Sequence, residues 1–179
     1  LHDLVDKDDS NVATVLKMID RINEYPEKMD GQKVAIIGGG AVGLDVMEFF
    51  TERGSDVTMV EMLPMIGNGL DPVTKCDTNA KMAKYNVKQM TNTALQEVQN
   101  DRFIVKNPQG EIEEIPFDYG FICLGMRANN PVLDQLEEAF ADTNVEIIKI
   151  GDSKRARRII DGTLEGRNIL NTLTQMGYL

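Results

Sequence analysis

Apolar positions fall into alternating blocks along the chain, and the spacing inside each block predicts an element. Val12, Val15, Leu16, Ile19 and Ile22 recur at helical intervals, so residues 12–25 read as a helix with Ser10 or Asn11 as its N-cap and Pro26 beyond its end. Lys33-Val-Ala-Ile-Ile-Gly38 is short, nearly all apolar and β-branched, the pattern of a strand buried on both faces of a parallel sheet. Leu44, Val46, Met47 and Phe50 then mark a helical stripe that Gly54 stops, and Asp56-Val-Thr-Met-Val-Glu61 is a second buried strand. Strand, helix and strand form one βαβ unit, with a right-handed crossover expected.

Residues 62–71 form a loop with Pro64, Gly67 and Gly69, and a helix is expected from Pro72 to about Tyr85. Val98, Phe103, Ile104, Val105, Ile112 and Ile115 mark short strands divided by Gln99-Asn-Asp101 and Asn107-Pro-Gln-Gly110, which predicts a three-stranded antiparallel meander within residues 87–117. Further along come a buried strand over 119–124, a short acidic helix over 131–140, a strand over 145–150 and a final amphipathic helix from Arg155 to about Leu173. No internal repeat or low-complexity tract interrupts this order.

Composition narrows what such a chain does. Its 179 residues suffice for one large domain or a domain and part of another, so a disulfide scaffold is excluded. Nineteen basic against 29 acidic residues leave a formal charge of -10, which disfavours nucleic acid as a partner. No apolar run reaches the roughly 20 residues of a membrane helix, so no membrane partner is expected. Cys76 and Cys123 are far apart and read as structural thiols, and His2 is the only histidine. No metal site and no catalytic triad is therefore expected. A chain that starts at Leu1 without a signal segment reads as a processed or excised piece of a cytoplasmic protein.

The chemistry concentrates in Gly38-x-Gly40-x-x-Gly43, set between a buried strand and an amphipathic helix. Gly38 permits the turn out of the strand, Gly40 lets backbone approach a pyrophosphate, and Gly43 lets the helix pack close to the strand. The helix N-terminus then faces the phosphates, so an acidic protein can hold an anion through backbone N–H groups. Glu61, 23 residues after Gly38, ends the second strand, where a carboxylate accepts from ribose hydroxyls and opposes a 2′-phosphate, favouring NAD over NADP. Gly39, Ala41, Val42, Met62 and Gly125 complete the expected dinucleotide surroundings. The plain alternative is a glycine turn that only permits close packing, with Glu61 a solvated strand end. Methyltransferases also pair a glycine turn with such an acid, but usually without this glycine spacing.

With these elements in place, the region resembles the nicotinamide-nucleotide domain of glutathione-reductase-like flavoproteins. More narrowly, it is similar to the C-terminal part of multi-cofactor NADH:flavin oxidoreductases of the old yellow enzyme class, the group of 2-enoate and 2,4-dienoyl-CoA reductases. The stretches that carry the likeness are Lys33-Val-Ala-Ile-Ile-Gly-Gly-Gly-Ala-Val-Gly43, Val60-Glu-Met-Leu-Pro64 with Asp71-Pro72, Asn86-Val-Lys-Gln-Met-Thr-Asn-Thr93, and Gly151-Asp-Ser153 followed by Ala156-Arg-Arg-Ile-Ile-Asp161 and Glu165-Gly166.

The resemblance implies an α/β, Rossmann-like FAD/NAD(P)-binding fold: a parallel sheet with an antiparallel meander, plus the C-terminal remnant of a second, FAD-binding domain. It divides the chain into a lead-in helical segment (1–30), an NAD(H)-binding domain (31–126) and the FAD-domain part (127–179). Phe121-Ile-Cys-Leu-Gly-Met-Arg-Ala-Asn129 corresponds to the family's second crossing strand. Gly151 and Asp152 match the motif that closes on the FAD ribityl and pyrophosphate, with the following helix aimed at the flavin. Asp45 stands where the family commonly carries a Glu that orients the nicotinamide carboxamide. In complete enzymes of this kind NADH reduces FAD, and electrons continue through an iron–sulfur cluster to FMN and an activated alkene. The chain lacks a first FAD glycine motif, an FMN barrel and cluster cysteines, so its expected partners are the FAD and FMN domains of a parent protein, with a homodimer left open. Two other readings stand beside this one: a stand-alone NAD(H)-binding module without catalysis, and part of a related flavoprotein such as a disulfide reductase or NADH oxidase. The run Lys154-Arg-Ala-Arg-Arg158 is either a phosphate clamp or a solvated helix start.

Overall fold

The computed structural model describes residues 4–177, so His2 lies outside the described residues. Two compact units divide the chain, Leu1–Gly125 and Met126–Leu179.

In the first unit a parallel sheet of five strands has the order β1 (Val12–Thr14), β8 (Tyr119–Ile122), β2 (Lys33–Ile37), β3 (Asp56–Val60), β4 (Lys88–Met90). Between β4 and β8 the chain forms an antiparallel meander of β5 (Ala94–Val98), β6 (Arg102–Lys106) and β7 (Ile112–Pro116). The continuous apolar run of β2 is explained by burial on both faces. Val34 and Ile36 pack with Phe50, Met47 and Met82 from helices α2 (Ala41–Thr51) and α3 (Pro72–Lys84), whereas Ala35 and Ile37 pack with Phe103, Val105 and Ile115 of the meander. A glycine inside a strand is usually a weakness. Gly120 of β8 is there because a Cβ would press on the rings of Phe117 and Phe103. On the helix side Phe50 stacks on Phe121 at 4.9 Å and meets Tyr25 edge-on at 5.2 Å. These rings fix α2 on the sheet and so set where its N-terminus lies. The strands, the α2 and α3 helices and the meander follow the expected α/β, Rossmann-like plan.

Three expectations in this unit are corrected. Residues 12–25 are not one helix: Val12–Thr14 is a strand paired with β8, α1 covers only Val15–Asp20, and a 3₁₀ turn follows at Ile22–Glu24. Val12 is wholly buried there, and pairing with a strand more than a hundred residues away outweighs a local helical spacing. The cap is accordingly Thr14, whose hydroxyl accepts from the Lys17 N–H, rather than Ser10 or Asn11. Residues 88–90 join the parallel sheet beside β3, outside the meander. Strand β3 ends at Val60, one residue short of Glu61, although the Glu61 N–H still donates to the Met90 carbonyl at 2.9 Å.

The second unit contains α4 (Leu133–Ala139), a 3₁₀ turn at Gly151–Ser153, α5 (Ile159–Arg167) and α6 (Ile169–Gln175). Residues 145–150, expected as a strand, form none, because no neighbouring strand within the described residues supplies the ladder bonds a buried strand requires. The helix expected from Arg155 begins at Ile159 and is broken at Asn168. Asp152 is therefore followed by a turn, not directly by a helix. Among the described residues no helix is long and apolar enough to cross a membrane.

Candidate functional site

The glycine loop joins β2 to α2, and its geometry follows from what surrounds each glycine. Gly38 has φ +109°, which disfavours any side chain, and a Cβ there would run into the Cys123 carbonyl just beyond β8. A Cβ on Gly43 would strike the Gly38 carbonyl, so the first turn of α2 lies directly on the end of β2. Gly40 differs from both. It is the N-cap of α2, no side chain caps the helix, and nothing lies within 4 Å of a Cβ built there. The first N–H groups of α2, Ala41 and Val42 among them, have no acceptor within the helix. Ala41 is exposed, and Val42 leans on the core. Open space in front of uncapped N–H groups at a positive helix end is a cradle for an anion.

Gly39 is held on both sides. Its N–H donates to Glu61 Oε2 at 2.6 Å, and its carbonyl accepts from the Gly67 N–H at 2.7 Å. Glu61 Oε1 accepts from the Leu63 N–H at 2.8 Å, and a Cβ on Gly39 would press on Ile66 at 2.9 Å. The half-buried Glu61 carboxylate thus fastens the 62–70 loop to the glycine loop. A carboxylate offers about four lone-pair positions. Two are used here, which leaves two for hydroxyl donors, so the residues present fit an adenosine ribose beside a pyrophosphate on α2. Met62, 69% exposed, follows directly.

Asp45 is exposed on α2, just past its first turn, its pKa raised by partial desolvation and by the like charge of Glu48. Behind the loop, burial and then the charge of Asp45 push the Cys123 thiol up to about 12, which suits a structural thiol. Gly125 has φ +83° and open space about it, at the end of the first unit. Gly38 to Gly43 and Glu61 are thus brought together at one end of β2 and β3, with Gly40 and Ala41 exposed, while Gly151 and Asp152 belong to the second unit. A cleft of about 310 Å³ lined by Ser10, Asn11, Tyr25, Tyr119 and Phe121 lies at the opposite, N-terminal ends of β1 and β8 and includes none of these residues. Among the described residues no cluster of His, Cys, Asp and Glu is arranged to hold a metal.

In the second unit, Gly151 has φ +57°, and its N–H donates to Glu165 Oε2 at 2.8 Å. The Asp152 Oδ1 accepts from the Arg157 N–H at 3.3 Å. The basic run is largely committed to internal pairs: Lys154 and Arg157 to Glu165 at 3.2 and 2.6 Å, and Arg158 to Asp161 at 3.5 Å. These pairs leave the run fewer uncommitted charges for a phosphate. Sequence reasoning missed Ile66, Gly67 and Leu63 as supports of Gly39, and Glu165 as the anchor of Gly151. Only the glycine at 67 and the Glu165-Gly166 pair stood out, and neither spacing announces a hydrogen bond across a loop.

A model of the pyridine nucleotide-disulphide oxidoreductase family matches residues 4–150. An NADH oxidase of Thermoanaerobacter brockii is 26% identical over 135 residues, covering 75% of this chain and 20% of that protein. A cinnamate reductase of Clostridium sporogenes is 28% identical over 134 residues, covering 73% of this chain and 19% of that protein. The structure of a 2-naphthoyl-CoA reductase in complex with 2-naphthoyl-CoA superposes with a TM-score of 0.68 at 24% identity, over 93% of this chain and 24% of that one. The chain spans about a fifth of the length of each of these two curated relatives.

Proposed function

This chain belongs to the pyridine nucleotide-disulphide oxidoreductase family, and on that premise we propose that it is the NADH-docking portion of a larger flavin-dependent oxidoreductase, with part of an FAD site in its C-terminal unit. The observation that carries the reading is the open space at Gly40 before the uncapped N-terminus of α2, with the Glu61 carboxylate beside it.

In this reading the pyrophosphate rests on the N–H groups of Gly40, Ala41 and Val42, and Gly38 and Gly43 hold α2 close enough to present them. Glu61 accepts from the ribose diol, which selects NADH over NADPH, while Gly39 and Met62 shape the adenosine end. Asp45 orients the carboxamide of the nicotinamide, and Gly125 lets the chain turn beside it. Gly151 and Asp152 contribute to the FAD ribityl contact, with residues 127–179 as a remnant of the FAD domain and 31–126 as the NAD(H) domain. With NADH held by these residues, the chemistry it would supply is hydride for reduction of FAD.

The finer assignment is to the old yellow enzyme-type group, with an iron–sulfur cluster and FMN on further domains and an activated alkene as the final acceptor. The quoted sequence motifs support it, as does similarity to a cinnamate reductase, named for a conjugated enoate. Two measurements test the proposal. Titration of this chain should give saturable NADH binding, and the full-length protein that carries it should be yellow, with FAD, FMN and iron in fixed ratio. No NADH binding refutes the docking role; a full-length protein with FAD but neither FMN nor iron refutes the finer group.

A further inference from the structure

We propose that Glu165 is a positioning residue for Asp152, setting the Gly151–Asp152 turn in the conformation that meets the flavin ribityl chain. The inference rests on the FAD reading of that turn.

Glu165 acts on the turn by two routes. Directly, its Oε2 accepts from the Gly151 N–H at 2.8 Å. Indirectly, its Oε1 takes the Arg157 guanidinium at 2.6 Å, and the backbone N–H of that same Arg157 donates to Asp152 Oδ1 at 3.3 Å. The carboxylate is only 20% exposed although it sits on a helix that buries no residue, and Lys154 completes its coordination at 3.2 Å. These donors hold its pKa at about 2, the Arg157 hydrogen bond first and the Gly151 N–H second, so it is charged at any physiological pH. The backbone is shaped for the same contact. Gly162, three residues before Glu165, lies so near the turn that a Cβ there would meet Gly151 Cα at 3.1 Å, and Gly166 faces Ile150. Positions 162, 165 and 166 form one face of α5. On this face Gly162 admits the turn and one carboxylate fastens it. A helix placed there for packing alone would carry an apolar residue at 165; a charged group that gathers an N–H and two cations around the turn specifies its conformation.

The test is a double-mutant cycle in the full-length flavoprotein, read as FAD affinity of the apoprotein, with E165A, E165Q, D152A and D152A/E165A. D152A should weaken FAD by about tenfold, and E165A by about threefold to tenfold, the worth of one hydrogen bond or somewhat more. Because the route through Arg157 ends on Asp152, E165A should cost less in the D152A background than in the wild type. E165Q keeps one acceptor for the Gly151 N–H but releases the cations, and should fall between wild type and E165A. In the 179-residue chain, without FAD, the Gly151 amide proton should move upfield on E165A. Equal E165A losses with and without Asp152 would overturn the positioning role while leaving the FAD reading intact. No loss on D152A would overturn that reading and this inference with it. An unmoved Gly151 amide would remove the direct contact on which the argument stands.

Discussion

Glu61 is asked to do two things, and replacing it separates them. As the ribose acceptor it discriminates between cofactors: a carboxylate about 5 Å from a 2′-phosphate of charge about −1.5 to −2 costs roughly 1.2–1.7 kcal/mol even in water-like dielectric. One forfeited hydrogen bond adds roughly 0.5–1.5 kcal/mol. Together these make about 2–3 kcal/mol, a preference for NADH of about 30- to 150-fold. As the fastener of the glycine loop, the same carboxylate accepts from Gly39 at 2.6 Å and Leu63 at 2.8 Å. Glu61→Ala should therefore erase the preference and also lower NADH affinity beyond the loss of the ribose contact, because the loop is no longer held. Glu61→Gln removes the charge and leaves one amide oxygen for two N–H donors, so the preference should collapse while part of the loop support survives. Titrating this chain by the fluorescence of each reduced nucleotide measures all three. Equal wild-type affinities, or a preference that survives Glu61→Ala, would refute the assignment of Glu61.

The second and third glycines of the motif should fail differently: Gly40→Val should leave the melting temperature nearly unchanged and abolish NADH binding, since its side chain enters open space, whereas Gly43→Ala should lower the melting temperature by several degrees because its methyl meets the Gly38 carbonyl. Normal NADH binding by Gly40→Val would move the pyrophosphate elsewhere. The isolated chain should not retain FAD, because the one or two hydrogen bonds of Asp152, roughly 0.5–1.5 kcal/mol each, fall short of an association cost of at least about 4 kcal/mol; a yellow 20.0 kDa protein with stoichiometric flavin would contradict this. At pH 8 a thiol reagent should label the exposed Cys76 and spare Cys123, which is buried and titrates near 12, until the protein unfolds; prompt labelling of both would refute the packing behind the glycine loop.

What was legible in the sequence was whatever local pattern dictates. β2, α2 and β3 could be read because a two-sided buried strand, a glycine turn and an amphipathic helix each have their own signature, and the meander because its turns are spelled out in Asn, Asp, Pro and Gly. β1 was hidden because three residues hold no period, and what makes them a strand is Gly120 to Ile122, far along the chain. Residues 145–150 erred in the other direction: their β-rich composition is real, but a strand exists only where another strand bonds to it. At the site, residue types identified the glycines and Glu61, whereas the supports of Gly39 and Gly151 come from loops and a helix whose approach is a tertiary matter.

The pairing of β1 with β8 also sets a schedule. Val12 lies opposite Gly120 in the finished sheet, so its partner is made 108 residues later. At roughly 5–20 residues per second, a ribosome leaves that interval at about 5–20 s. Through all of it Val12, which is fully buried at the end, has no strand to bond to, while β2, α2 and β3 have neighbours within thirty residues and are free to assemble first. The two strands and the helix that carry the glycine loop are therefore made well before β8 and β1 can pair, and the contact of Gly38 with the Cys123 backbone is completed only when β8 arrives.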